Sequence, residues 1–321
     1  MGASARQLGR TRLQVSRLGL GLAAVGRPAY ITLGRTTDLG PDRSVEAMRA
    51  RSQALLDAAY AAGVRYVDAA RSYGRAEEFL AEWLSARGLV PGAVTIGSKW
   101  GYRYTGGWRL DVKVQEVKEL SVDTLRRQLA ESRALLGDQL CLYQVHSATL
   151  ESGILEDQAV LAELRRIKQT GLAIGLTVTG PRQTETIERA LALGMFDTVQ
   201  ATWNLLERSA GQALERAYAA GMGVIVKEAL GNGRLTASGG EQRLLEVARE
   251  RALAPDALAL AAALDQPWAD VVLSGAATPE QLRSNLAALD LAVDDSLRAR
   301  LSELAEPAED YWSERSRLAW T

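Results

Sequence analysis

Eight short apolar runs alternate with longer amphipathic segments along the chain, and this alternation restricts the fold more than any other feature. The runs cover residues 15–22, 64–69, 94–99, 140–146, 173–178, 198–203, 223–228 and 271–275. Most are continuously apolar, as is typical of parallel strands buried on both faces. Helical patterns lie between them at residues 44–62, 77–87, 122–136, 160–170, 184–193, 206–220 and 279–289. The alternation predicts an α/β fold around a parallel sheet.

Eight apolar runs, with seven helical patterns between and after them, predict a (β/α)8 TIM barrel, with residues 1–321 forming a single domain. The competing doubly wound sheet usually has fewer strands and a glycine-rich turn after its first strand. No GxGxxG pattern follows an early run in this sequence. Residues 7–13, with Gly9 near their centre, predict a small N-terminal β-hairpin that caps the bottom of the barrel.

Composition excludes several classes of function. The formal net charge of −1 gives no electrostatic reason to expect a nucleic acid or an anionic membrane as partner. One cysteine, Cys141, and one histidine, His146, cannot build a zinc site that needs several such ligands, so we expect no metal. Residues 1–14 lack the apolar core of a secretory signal, and the longest aliphatic run, residues 257–264, is too short to span a bilayer. We expect a cytoplasmic protein, and the oligomeric state stays open.

Three segments are longer than ordinary loops: residues 23–43, residues 101–120 and the tail from about Glu306. Long connections in a compact domain are usually functional or disordered. Two of these segments are rich in aromatic side chains, which favour a walled apolar substrate pocket or simply pack the loops onto the barrel. The aromatic residues are Tyr102, Tyr104, Trp108, Tyr311, Trp312 and Trp320.

Polar side chains stand where three apolar runs end. Asp68 closes the second run and is followed by Tyr73, Lys99 closes the third, and His146 closes the fourth. Each alone has an ordinary structural explanation: a helix cap, a lysine reaching solvent or a histidine buried in the core. Together they lie at the carboxyl ends of successive strands, which meet on one rim of a barrel. The sequence therefore predicts that these four groups form one site.

This set of groups suits proton transfer at a carbonyl oxygen. A free tyrosine has a pKa of about 10, which is high for proton exchange near neutral pH. We expect the ammonium of Lys99 to lower the pKa of Tyr73 by stabilising tyrosinate, and Asp68 to keep Lys99 charged and oriented. A neutral imidazole at His146 can orient a carbonyl or complete a proton relay.

The chain resembles the aldo-keto reductase superfamily from Leu8 to Leu289. The motifs that carry the resemblance are Tyr66-Val67-Asp68-Ala69-Ala70 with Tyr73-Gly74, then Gly97-Ser98-Lys99, then Gln144-Val145-His146. The resemblance implies a catalytic tetrad of Asp68, Tyr73, Lys99 and His146, with Tyr73 as general acid/base. It further implies interconversion of an aldehyde or ketone and an alcohol with NADPH or NADH as cofactor, on a small-molecule substrate and without a metal.

The resemblance also implies contacts to the cofactor. Gln200 matches a glutamine that holds the nicotinamide amide, and Thr177 replaces a serine, but Val178 stands where the family usually has asparagine. The remaining implied contacts follow the last two strands. They are Leu230, Gly231, Arg234, Ser274, Gly275, Gln281 and Asn285.

The seventh strand departs most from the family pattern, because Lys227 and Glu228 replace an aromatic residue and a serine at the nicotinamide. The two residues could form a structural ion pair in the barrel mouth, and Trp203 could supply the missing ring. We favour retention of the cofactor site, with Lys227 counted among its contacts. Two alternatives stay open: a lyase or isomerase that forms a Schiff base on Lys227, and a non-catalytic, cofactor-sensing protein.

Overall fold

A closed barrel of parallel strands organises the computed structural model, which describes residues 5–321. The expectation that residues 1–14 contain no secretory signal includes residues 1–4, which lie outside the described residues. The strands in residues 5–321 are β1 (Ala5–Gln7), β2 (Gln14–Ser16), β3 (Leu18–Gly21), β4 (Tyr66–Asp68), β5 (Thr95–Trp100), β6 (Tyr102–Tyr104), β7 (Glu116–Lys118), β8 (Leu140–Ala148), β9 (Ala173–Val178), β10 (Thr198–Thr202), β11 (Gly223–Lys227) and β12 (Val271–Ser274). The barrel order is β10-β11-β12-β3-β4-β5-β8-β9, with parallel neighbours throughout. The predicted (β/α)8 barrel is confirmed.

The N-terminal hairpin is formed by β1 and β2, which pair antiparallel. The predicted first run, residues 15–22, is therefore two strands, of which only β3 belongs to the barrel. The loop between β1 and β2 buries Leu8 against the amino end of β11 and closes the bottom of the barrel. Gly9 there has φ +53°, and a Cβ on it would lie 2.2 Å from the backbone nitrogen of Gly223. Only glycine fits this close approach.

The helices lie between the strands, largely where the apolar periodicity places them. Those in residues 5–321 are α1 (Arg35–Leu39), α2 (Val45–Ala61), α3 (Ala76–Ala86), α4 (Val122–Leu136), α5 (Gln158–Gln169), α6 (Gln183–Leu193), α7 (Gly211–Ala219), α8 (Gln242–Arg251), α9 (Pro255–Leu264), α10 (Pro279–Leu286), α11 (Asp295–Ser302) and α12 (Ala308–Ser316). The predicted helix at residues 206–220 starts only at Gly211. Asn204 accepts hydrogen bonds from the backbone N–H groups of Leu206 and Glu207, both 2.9 Å, and holds that stretch as a turn.

Several elements were absent from the sequence-based expectation. The three long segments contain regular structure: α1 in the first, the antiparallel pair β6–β7 in the second and α12 in the tail. Helices α8, α9 and α11 were also missed. The apolar run at residues 257–264 is the buried body of α9, and a helix buried on all sides carries no amphipathic signal. Within residues 5–321, no helix has both the length and the apolar character needed to cross a membrane.

The barrel interior is apolar at the bottom and polar at the top. Its lower layers are filled by Leu8, Val15, Tyr66, Leu142, Ile225, Val271 and Leu273. Side chains alternate along a strand, so Asp68, two residues after Tyr66, faces inward one layer higher. Gln200 also faces inward, since its side chain meets that of Asp68. The upper, carboxyl ends of the strands therefore surround a polar floor. That residues 1–321 form a single domain stays a prediction.

Candidate active site

Asp68 and Lys99 form a buried ion pair on the floor of the barrel mouth. The side chains are 3% and 1% exposed, and the Lys99 ammonium donates to Asp68 Oδ1. The same ammonium donates to the carbonyl oxygen of Ala69 at 3.0 Å. Asp68 Oδ2 accepts from Gln200 Nε2 at 2.9 Å and from the Tyr66 hydroxyl at 3.3 Å. These bonds hold the carboxylate in one orientation and direct the Lys99 ammonium toward the barrel mouth.

Tyr73 lies directly above this pair. It is reached by the turn after β4, where its backbone N–H donates to the carbonyl of Ala70 at 3.0 Å. Lys99 Nζ donates to the Tyr73 hydroxyl oxygen at 3.3 Å. The structure therefore brings the phenol and the ammonium together, as the strand-end pattern predicts.

His146 closes the side of the mouth formed by β8. Its ring centroid lies 5.6 Å from that of Tyr73 and 5.0 Å from that of Tyr102. Its Nδ1 is 3.5 Å from the hydroxyl of Ser72, which leaves Nε2 free for a ligand. Burial, with the nearby charges of Lys99 and Arg27, holds the pKa of His146 well below its ordinary value. The imidazole is therefore neutral at neutral pH.

The pKa of Tyr73 moves in the opposite direction from the sequence-based expectation. Burial, followed by the negative charge of Asp68, raises it well above the ordinary value. Asp68 is paired to Lys99, and the negative charge of its carboxylate opposes the effect of the ammonium on the phenol. The expected lowering is wrong for this state of the protein, in which Tyr73 is a neutral, proton-bearing phenol.

The end of β11 carries an ionic network. Lys227 Nζ donates to Thr202 Oγ1 at 2.9 Å, and this hydroxyl donates to Glu228 Oε2 at 3.1 Å. Arg315 of α12 forms two hydrogen bonds through Nε to the Glu228 carboxylate, at 2.9 and 3.1 Å. Glu228 has φ +55°, and its carbonyl accepts from Asn204 Nδ2 at 2.9 Å. The ion pair expected between Lys227 and Glu228 is thus formed instead by Glu228 and Arg315.

Acid should weaken this network. Burial alone would raise the pKa of Glu228, but Arg315 and Lys227 outweigh it and lower the pKa to about 2. A depressed carboxyl pKa adds stability above the unfolded value, near pH 4.5, and that stability is lost as the pH falls toward 2. We expect Arg315→Met to destabilise the protein by about 3 kcal/mol at pH 7 and by clearly less at pH 3, measured by urea unfolding.

The matched control is Arg283→Met. Arg283 pairs with Glu280, and both side chains are 70% exposed. Exposed pairs contribute about 0–1 kcal/mol, so this variant should unfold like the parent protein at both pH values. An Arg315→Met variant with unchanged stability at pH 7 would contradict a structural role for the network.

A cleft of about 370 Å³ runs from the barrel mouth to the start of α10. Asp68, Tyr73 and His146 line one end. Most of the cofactor contacts implied by the resemblance line its course, and Lys227 and Glu228 form part of its wall without blocking it. The lining contacts are Thr177, Gln200, Lys227, Leu230, Ser274, Gly275, Gln281 and Asn285.

Trp203 does not reach the cleft. Gln200 and Thr202 face the barrel mouth, so Trp203 points to the outer side of the sheet, where its ring lies 5.7 Å from that of Trp268. The expectation that Trp203 replaces the missing aromatic ring at the nicotinamide is therefore corrected.

Gly231 and Arg234 also lie outside the cleft lining. The Arg234 guanidinium bonds Glu306 at 2.6 and 2.9 Å and lies 3.3 Å from Glu314. It thus ties the loop after β11 to the C-terminal segment. The expected cofactor contact of Arg234 is corrected, because its donors are engaged by carboxylates.

The cleft fits a dinucleotide. A Cβ on Gly275 would meet nothing within 4 Å, so the backbone there borders open space that a ligand can approach closely. Ser274 and Asn285 are hydrogen-bonded at 2.8 Å and, with Gln281, offer neutral polar groups of the kind that hold a ribose and a base. The N–H groups at the start of α10 lie beside them.

Other cleft residues had no clear sequence signal. Arg27 is 2% exposed and donates to Glu116 Oε2 at 2.7 Å and to the Ser72 carbonyl at 2.9 Å. Its guanidinium lies 4.7 Å from the ring centroid of Trp320. Each of Arg27, Glu116, Arg315 and Trp320 comes from one of the three long segments. For Arg27, Glu116 and Arg315 the length of those segments was the only sign of their role, whereas Trp320 was one of the aromatic residues that suggested a pocket.

Comparison with known proteins identifies the family. Residues 18–306 match the model of the aldo/keto reductase family. The NADH-specific methylglyoxal reductase of Escherichia coli is 28% identical across 94% of this chain and 98% of that protein.

Solved structures agree with this match. A Pseudomonas aeruginosa protein assigned to the aldo-keto reductases superposes with a TM-score of 0.67 at 30% identity, covering 90% of this chain and 95% of that one. The holo form of a Bacillus halodurans aldo-keto reductase, 23% identical, shares the fold with a TM-score of 0.72 over 97% of this chain and 99% of its own. The findings favour redox chemistry over the lyase, isomerase and sensor alternatives. The chain belongs to the aldo/keto reductase family and is an NAD(P)-dependent oxidoreductase that uses NADH or NADPH.

Proposed function

We propose that this enzyme interconverts a small polar aldehyde or ketone and its alcohol, with Tyr73 as general acid/base. The observation that carries the proposal is the contact of 3.3 Å between Lys99 Nζ and the Tyr73 hydroxyl, with the neutral ring of His146 beside it. The phenol of Tyr73 can supply a proton to a carbonyl oxygen, the imidazole of His146 can hydrogen-bond the same oxygen, and the ammonium of Lys99 acts on the Tyr73 hydroxyl.

The cofactor, when bound, supplies or accepts the hydride at the carbonyl carbon. Gln200, Thr177, Ser274, Gln281 and Asn285 would hold it along the cleft.

During reduction, Tyr73 gives its proton to the carbonyl oxygen, and during oxidation it receives one from the alcohol. Because its pKa is raised, Tyr73 begins a reduction in the protonated form that this step requires. Lys99 stabilises the phenolate as it forms, and Asp68 keeps the ammonium aimed at it. Nε2 of His146 orients the substrate oxygen, since Nδ1 is turned toward Ser72.

The walls of the mouth favour a small polar substrate. Arg27, paired with Glu116, lies 5.3 Å from the ring centroid of Tyr73, and Tyr30 and Trp320 line the same cleft. A buried charged pair suits hydroxyl or second carbonyl groups rather than a long alkyl chain. Methylglyoxal, the substrate named for the E. coli relative, is the first compound to test.

We further infer a preference for NADH. At the end of the cleft near α10, the lining residues include the carboxylate of Asp256, whereas lysine and arginine are absent from that part of the described lining. Arg283 is exposed and occupied by Glu280. A carboxylate favours a ribose hydroxyl and repels a 2′-phosphate.

Titration of the protein's fluorescence with NADH and NADPH tests the cofactor preference, because Trp320 lines the cleft. Turnover on small carbonyls tests the proposed activity. We expect NADH to bind at least about tenfold more tightly than NADPH, a difference of about 1.4 kcal/mol. Asp256→Asn should narrow that difference mainly by improving NADPH binding. NADH should support reduction of methylglyoxal in the same preparation. Tighter binding of NADPH would overturn the preference, and binding without turnover on a panel of small carbonyls would overturn the proposed activity.

A further inference from the structure

The charges around the barrel mouth do not cancel. Three of the cations there have a carboxylate partner: Lys99 has Asp68, Arg27 has Glu116, and Arg315 has Glu228. Lys227 also lines the mouth, and its ammonium bonds only the hydroxyl of Thr202 within the described residues. Because Glu228 is engaged on Arg315, the group formed by Lys227, Glu228 and Arg315 carries one net positive charge.

Lys227 faces the tetrad across the mouth. In the closed barrel, β11 stands opposite β5, which carries Lys99, and β10 stands opposite β4, which carries Asp68. The carbonyl carbon that receives hydride must lie beside the Tyr73 hydroxyl. A cofactor that delivers this hydride would therefore place its reacting ring in this mouth, which Tyr73, Gln200 and Lys227 all line.

We propose that Lys227 sets the preference of this enzyme between the two oxidation states of its cofactor, so that reduced nicotinamide binds more tightly than oxidised nicotinamide. The inference rests on the proposed function, which places the ring at Tyr73. The oxidised ring carries a positive charge and the reduced ring is neutral, so an unpartnered ammonium repels only the former. Between charges a few ångströms apart in a partly buried site, this repulsion amounts to at least about a tenfold difference in affinity.

The preference should depend on pH. Burial lowers the pKa of Lys227 to about 8, although Glu228 opposes the effect and Arg315 and Lys99 add to it. Asp68 is the other charged group that acts on this ammonium, and it favours the charged form. As the pH rises through about 8, Lys227 loses its proton and its repulsion. The affinity for NAD⁺ should then increase while the affinity for NADH stays level.

Neither His146 nor Tyr73 titrates in this range. The pKa of His146 lies well below its ordinary value and that of Tyr73 well above its own. Linkage also requires the reverse effect, because NAD⁺ must lower the pKa of Lys227 as much as the ammonium weakens NAD⁺ binding. Binding of NAD⁺ near pH 8 should therefore release protons, and binding of NADH should not.

The experiment measures dissociation constants of NAD⁺ and NADH by fluorescence from pH 6.5 to pH 9.5, and proton release in weakly buffered solution with an indicator dye. In the parent protein, we expect the ratio of the NAD⁺ constant to the NADH constant to fall about tenfold over this range. Lys227→Met should show the low ratio at every pH. Lys227→Arg keeps a charge that does not titrate, so it should show the high ratio at every pH and release no protons.

The possible results distinguish failure of the proposed role of Lys227 from failure of the proposed enzyme activity. If the parent protein binds both nucleotides with a ratio independent of pH, or if Lys227→Met retains the high ratio, the role of Lys227 is overturned and the proposed activity stands. If the parent protein binds neither nucleotide, the proposed function is overturned, and the proposed role of Lys227 is overturned with it. Should Lys227→Met not fold, the parent protein and Lys227→Arg still decide through the pH dependence and the proton release.

Discussion

Replacement of Tyr73 by phenylalanine should lower kcat for carbonyl reduction by about a thousandfold, within the range of about 10²–10⁴ that general acid catalysis contributes. The change removes only the hydroxyl that accepts the Lys99 hydrogen bond at 3.3 Å. The ring keeps its packing against His146, and the cleft lining toward α10 is untouched. The dissociation constant for NADH should therefore stay within about twofold of the parent value.

Tyr60→Phe provides the matched control. Tyr60 packs edge to face on Trp83, with ring centroids 5.8 Å apart, on helices outside the barrel. This variant loses the same atom far from the mouth and should keep full turnover. Tyr73→Phe with near-normal kcat would refute the assignment, whereas loss of NADH binding in that variant would mean that Tyr73 supports the cofactor site instead.

Replacement of Lys99 by methionine should affect both stability and catalysis. Asp68 would remain buried without its partner, and breaking such a pair costs about 3–5 kcal/mol. The phenolate of Tyr73 would also lose the ammonium that stabilises it, so we expect at least about a hundredfold loss of kcat. Urea unfolding and steady-state kinetics on the same preparation measure the two effects.

A double variant separates the effects. Asp68→Asn combined with Lys99→Met removes both charges and keeps a side-chain oxygen to accept from Tyr66 and Gln200. We expect most of the lost stability to return while kcat stays low. If turnover recovered together with stability, Lys99 would act only as a structural partner of Asp68, and the catalytic assignment would be wrong.

Part of the site was predictable from local patterns because of a property of parallel barrels. All carboxyl ends of the strands lie on one face, so polar residues that end apolar runs must converge. This is why the sequence alone grouped Asp68, Lys99 and His146. Strand alternation also places Trp203 on the outer side of the barrel wall, so its exclusion from the nicotinamide site was predictable from the sequence.

The direction in which the pKa of Tyr73 shifts could be established only from the three-dimensional arrangement. Spacing along the chain indicates that Lys99 is near Tyr73, but it does not give the depth of burial or the strength of the bond between Lys99 and Asp68. Burial raises the pKa of the phenol by removing solvent, and the negative charge of Asp68 raises it further. The direction of the shift follows from the balance among these groups.

The barrel, the rim on which the polar groups lie and the four residues grouped there were predictable from the sequence alone, because hydrophobic periodicity and strand polarity are local properties. The tertiary arrangement was needed to show that Arg315 neutralises Glu228, that Arg234 is held by Glu306, and that no carboxylate among residues 5–321 pairs with Lys227. Glu228 and Arg315 are separated by 87 positions in the chain. Contacts over such distances depend on how the C-terminal segment folds back over the mouth, which no local pattern encodes.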